Sequence, residues 1–104
     1  PLHVLSTFPH MHQIGSSFRA EVTTGTTTRT LVDVARWNFD DQKSYPADPT
    51  TMLIKPGDNV RTRCTYDNDS NATVRYGGAS EAEMCFNFVT AYPVPDRRLR
   101  TCVR

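Results

Sequence analysis

Residues 8 to 15 read Phe-Pro-His-Met-His-Gln-Ile-Gly, and His10 and His12 are the first side chains in this chain that could do chemistry together. On an extended strand, residues i and i+2 point to the same side of a sheet, so the two imidazoles stand close enough to hold one ion. Met11 points the other way and is expected to pack. A His-x-His pair alone does not separate a metal site from a surface feature, and any further ligand has to come from elsewhere in the chain.

The elements that must position this pair are strands. Thr is abundant, as in residues 23 to 30, and seven prolines and five glycines punctuate short β-branched and aromatic runs. Residues 2 to 8 form a strand that Pro9 is expected to stop or displace to a sheet edge, since proline cannot donate a ladder hydrogen bond. Residues 17 to 24 alternate Phe18, Ala20 and Val22 against Arg19, Glu21 and Thr23. Gly25 and Thr26 turn the chain into a return strand over residues 29 to 39, giving a hairpin. Residues 40 to 51 read as loop. Residues 52 to 68 hold a strand, a Pro-Gly-Asp turn and a second strand with Val60, Thr62, Cys64 and Tyr66 on one face. Residues 72 to 78 read as a short strand ending in paired glycines, and residues 84 to 94 as the strongest strand. Six to eight short strands in 104 residues predict one all-β domain, an antiparallel β-sandwich or jelly roll.

The motifs around these strands resemble the C-terminal, catalytic-copper domain of the copper type II, ascorbate-dependent monooxygenases, the family of dopamine β-hydroxylase and peptidylglycine α-hydroxylating monooxygenase. The resemblance runs through residues 2 to 15, 55 to 68 (Lys-Pro-Gly-Asp to Asn68), 77 to 93 (Gly-Gly-Ala-Ser-Glu-Ala-Glu-Met-Cys and the aromatic run after it) and Cys102. It implies one domain over residues 1–104, with one copper held by His10, His12 and Met84 and cycling between Cu(I) and Cu(II). Imidazoles suit either state and a thioether favours Cu(I), while three protein ligands leave a position open for O2. Alone, Met84 would read as a core methionine on a strand; the motif makes it a ligand. Glu81 and Glu83 are read as solvated loop charges. His3 also has a family counterpart that does not bind this copper, and is expected to be buried or to hydrogen-bond behind the site.

The resemblance further implies a Cys64–Cys85 disulfide, closing a loop of about 20 residues and stabilising the fold by roughly 3 kcal/mol in the chain-entropy picture. Cys102 matches a cysteine whose family partner lies upstream of the histidine pair, where this chain has none. Either the chain is cut short or the bond is missing, and Cys102 is expected to be unpaired or intermolecular. The opening Pro1, without an initiator Met or a basic leader, is what an excised or processed piece would show. The disulfide argues for a secreted or extracytoplasmic setting. Two sequons at the turn, Asn68-Asp69-Ser70 and Asn71-Ala72-Thr73, suit exposed loops of secreted proteins but also arise by chance.

The activity implied is hydroxylation of a C–H bond in a small-molecule substrate by O2, with ascorbate as reductant. A second copper, on an N-terminal partner domain, is held by three histidines. This chain has three histidines in all, so the isolated domain is expected to bind copper without coupled turnover. The peptide-amidating branch anchors its substrate through an Arg and a Tyr at positions occupied here by Phe8 and Phe88, which argues against a peptidylglycine. Phe86, Phe88 and Tyr92 share a strand face and read either as an apolar pocket or as sandwich core. The net charge of +1 gives no argument for nucleic acid or an anionic membrane, and no apolar run approaches the roughly 20 residues of a span. The arginines at 97, 98, 100 and 104 read as a solvated tail. Two other readings stay open: a non-catalytic secreted copper-binding module, and a metal-free extracellular β-sandwich interaction domain.

Overall fold

A computed structural model describes residues 1–93; Cys102 and the four late arginines lie outside the described residues. The described chain is all-β. Its strands are β1 (Leu2–His10), β2 (Gly15–Thr24), β3 (Thr27–Val34), β4 (Tyr45–Pro46), β5 (Leu53–Ile54), β6 (Asn59–Tyr66) and β7 (Phe86–Tyr92). They form two antiparallel sheets. In one, β7 runs along nearly the whole of one edge of β1, while β4 and β5 share the other edge at different heights. The second sheet has the order β3-β2-β6. The core cluster takes Val4 and Met11 from the first sheet and its continuation, and Phe18, Ala20, Val22, Leu31 and Val32 from the second.

The β2–β3 hairpin closes through Gly25 and Thr26, with Thr24 opposite Thr27. Gly25 has φ +59° and Thr26 has no positive φ, the combination a II′ turn requires. Lys55-Pro56-Gly57-Asp58 forms a type II turn: the Asp58 N–H donates to the Lys55 carbonyl at 3.0 Å and Gly57 has φ +89°. Val60, Thr62 and Cys64 stand opposite Val22, Ala20 and Phe18, on one face as the alternation predicts. Only Cys64 of the three is half-buried, because β6 is an edge strand.

Two expectations are corrected. Pro9 does not end β1, which continues to His10. β4 pairs only with Ser6 and Thr7, and β5 only with Leu2 and His3, so beside Pro9 that edge of β1 is open, a place where sheets tolerate proline. Residues 72 to 78 form no strand; Tyr76 alone makes an isolated bridge, to Glu83. That segment runs beside the approach to β7 rather than along a strand, so it has no ladder to join.

Candidate metal centre

At the end of β1 the chain leaves the sheet immediately after His10, and the two imidazoles meet edge to face with centroids 5.0 Å apart. Met11, fully buried between them in sequence, anchors this exit in the core. Gly15 then begins β2 under close constraint. A Cβ there would lie 2.8 Å from Trp37 Cδ1 and 2.9 Å from Met11 Cε, so glycine is what lets these two side chains converge. Trp37 Nε1 donates to the His12 carbonyl at 3.1 Å, and Phe39 packs edge-on against the His12 ring at 5.8 Å.

The hydrogen bonds fix which imidazole nitrogen is free. His12 Nδ1 lies 3.0 Å from the Ala82 carbonyl oxygen, which can only accept, so Nδ1 carries the proton and the Nε2 lone pair is unused. His10 Nδ1 lies 2.7 Å from Gln42 Oε1. The Gln42 amide is oriented by its own Nε2 donating to the Phe39 carbonyl at 3.0 Å, so Oε1 is again an acceptor and His10 is the same tautomer. Histidines that bind metals through Nε2 are held in this way, by an acceptor on the opposite nitrogen.

Glu83 is not a solvated loop charge, as the sequence reading has it; that residue is only 8% exposed. Its Oε1 accepts from the His12 N–H at 2.9 Å and its Oε2 from the Ile14 N–H at 3.1 Å, clamping the backbone on both sides of residue 13. Among the described residues no Lys or Arg pairs with this carboxylate. A buried carboxylate on the backbone of the histidine segment makes the local field favourable to a cation. Glu81, by contrast, is exposed as expected.

Met84 sits between two fixed neighbours. Glu83 is bonded to the histidine segment, and Cys85 is joined to Cys64 of β6 by the disulfide the resemblance implies, with Cα atoms 5.9 Å apart. The Met84 carbonyl accepts from the Tyr66 hydroxyl at 2.7 Å. Burial, and then the Glu83 charge, push the Tyr66 phenol above its ordinary pKa. Half-buried Met84 lines a cavity of about 430 Å³ together with Ile14, Tyr66, Val74, Tyr76 and Glu83. Among the described residues no cluster of three or more His, Cys, Asp or Glu side chains forms, so the histidine pair has no third partner of those types. A thioether is the donor available in the adjoining segment.

The outer face of the β1–β7 pair carries the other sequence candidates. Phe86 is opposite His10 and Phe88 opposite Phe8. Phe88 is 57% exposed, 6.5 Å from the His10 ring and 5.8 Å from Phe86, which Tyr76 meets in turn at 6.3 Å. Phe86 and Phe88 are therefore not part of the core cluster, and neither lines the cavity beside Met84. Tyr92 lies at the far end of β7, stacked on His3 at 4.8 Å. His3 is half-buried, hydrogen-bonded through Nδ1 to the Pro49 carbonyl at 2.8 Å, and seven residues along β1 from His10.

Sequence reasoning missed Gln42, Phe39, Trp37 and Glu83. Trp37 and Phe39 lie in a run that reads as strand but continues past the end of β3 at Val34, and Gln42 lies in the run that reads as loop. A hard carboxylate such as Glu83 is not the ligand the resemblance implies. Its position next to the proposed methionine ligand was the available signal.

A family profile described as copper type II ascorbate-dependent monooxygenase, C-terminal domain, matches residues 1–104. The chain is 30% identical over 95 residues to DBH-like monooxygenase protein 1 of Homo sapiens, covering 88% of this chain and 15% of that protein. It is 30% identical over 94 residues to DBH-like monooxygenase protein 2 of Mus musculus, covering 88% and 15%. MOXD1 homolog 1 of Drosophila melanogaster is 28% identical over 94 residues, covering 88% and 13%. The chain thus spans about 15% of the length of the first of these relatives. No solved structure matches it.

Proposed function

The chain belongs to the copper type II ascorbate-dependent monooxygenase family, as its C-terminal domain, and on that premise we propose that it is the domain that holds the catalytic copper. The ligands are His10 Nε2, His12 Nε2 and the Met84 thioether. The observation that carries this reading is the pair of acceptors, Gln42 Oε1 and the Ala82 carbonyl, that hold both Nδ1 protons and leave both Nε2 lone pairs free. When bound, copper supplies O2 activation for hydroxylation of a substrate C–H bond, with ascorbate as the electron source.

The protein's own residues do the rest. Gln42 and Ala82 keep each imidazole in the ligating tautomer. Glu83 rigidifies the backbone that carries His12 and offsets the charge of a bound cation. The disulfide at Cys85 and the Tyr66 bond at residue 84 restrict the segment from which the thioether reaches the site. Phe8, Phe86 and Phe88 present an apolar surface next to His10 with no cationic side chain among them, which suits a small molecule without a carboxylate rather than a peptidylglycine.

Residues 1–104 act as one domain of a longer, secreted polypeptide whose N-terminal partner domain carries a second copper. The isolated domain binds copper but does not turn over, because the three histidines of this chain cannot also furnish that second site. Cu(I) titration against a competing chelator tests the reading. Wild type binds one equivalent, and a His10→Ala/His12→Ala variant that retains the fold does not. Equal affinities for the two proteins would refute the metal assignment and favour a metal-free interaction domain.

A further inference from the structure

The turn between β6 and the Met84 segment contains chemistry that the copper reading leaves unused, the two consecutive sequons at Asn68 and Asn71. They are not equivalent. Asn68 is held at both ends of its amide: Oδ1 accepts from Ser70 Oγ at 2.6 Å and from the Ser70 N–H at 3.2 Å, while Nδ2 donates to the Ala72 carbonyl at 2.9 Å. The sequon hydroxyl of Ser70 is part of the same knot, and accepts from the Ala72 N–H at 3.3 Å. Asn68 also lines the cavity that contains Met84, so a sugar there would project from its wall.

Asn71 has none of these ties. It is exposed, as are Ala72 and Thr73 after it, and it does not line that cavity. Among the described residues, neither its amide nor the Thr73 hydroxyl makes a side-chain hydrogen bond. Two bulky glycans three residues apart would crowd one another, so the pair of sequons offers room for one.

We infer that Asn71, and not Asn68, is an N-glycan acceptor. The inference rests on the secreted setting proposed above. In the transfer, one Nδ2–H bond of Asn71 is replaced by a bond to the anomeric carbon of an oligosaccharide. The bond from that carbon to a lipid-pyrophosphate donor breaks, and the pyrophosphate leaves with the proton. The Asn68 knot survives the modification, and the cavity beside Met84 stays open.

The test uses the full-length protein from its own cells. After the Cys64–Cys85 disulfide is reduced and alkylated, trypsin cutting after Arg63 and Arg75 releases one peptide, Cys64 to Arg75, that contains both sequons. Enzymatic glycan release in heavy-oxygen water converts a glycosylated Asn into a labelled Asp, which fragmentation mass spectrometry assigns to a position. Label is expected at residue 71 and absent at 68. Thr73→Ala, which removes only the second sequon, should abolish it, and Asn68→Gln should not. Label at residue 68, or an unlabelled peptide from protein recovered in the medium, overturns the inference. Failure of the secretion reading is distinguishable: the protein would stay inside the cell with Cys64 and Cys85 as thiols, and its bare peptide would overturn the glycan assignment as well.

Discussion

The two ends of β1 each carry a histidine whose Nδ1 is hydrogen-bonded to an acceptor, yet further candidate features gather at only one of them. At the far end His3 donates to Pro49 and stacks on Tyr92, and no second imidazole joins it. At the near end His10 meets His12 at 5.0 Å, a buried carboxylate clamps the backbone, and a disulfide pins the residue after Met84. A hydrogen-bonded histidine is therefore no signature by itself. Paired imidazoles in one tautomer, a buried carboxylate that no Lys or Arg among the described residues pairs with, and a soft donor in the segment that carboxylate anchors together make the difference.

The comparison can be broken by substitution at each end. His10→Ala should lower Cu(I) affinity by about a hundredfold or more, since a ligand is lost, whereas His3→Ala should leave it unchanged. Competition titration of the two variants measures both, and an equal loss would erase the distinction between the ends. Glu83→Gln keeps the size of the side chain but removes the charge and one acceptor oxygen. It should weaken Cu(I) by roughly 10- to 100-fold, the usual cost of losing a supporting partner, with the circular dichroism spectrum retained. Gly15→Ala should cost about 1–3 kcal/mol through overpacking against Trp37 and Met11. Chemical denaturation would register it, while the same change at exposed Gly78, where a Cβ meets nothing, should be far milder.

The smallest effect concerns Tyr66. Its phenol pKa is raised, so the folded state favours the protonated form. That stability is fully present below the unfolded value of about 10 and is lost as pH rises from there through the higher folded value. Ultraviolet titration should show an ionisation above the ordinary tyrosine value, and Tyr66→Phe should remove that late step. An unchanged titration curve in the variant would contradict the raised pKa of this phenol.

Much of the fold was legible because it is local. Alternation along residues 17 to 24 put Phe18, Ala20 and Val22 in the core, and the glycine at 25 marked the hairpin turn. Met11 is buried as expected, but not through strand alternation: β1 ends at His10, and His12 is buried as well. What was illegible depends on contacts far apart in sequence. Glu83 looks solvated until residues 12 and 14, some seventy positions away, are brought to it. Gln42 lies in a segment whose pattern carries no period, yet its amide orients His10 from 32 residues away. Pro9 sits inside β1 because a strand central to a sheet can still have one open edge at a given height.

The central claim is that His10, His12 and Met84 hold one copper. X-ray absorption of the Cu(I)-loaded wild type and Met84→Ile proteins tests it most directly. The account predicts imidazole scattering in both proteins and a Cu–S component in the wild type that disappears in the variant. A Cu–S component that survives Met84→Ile would contradict it.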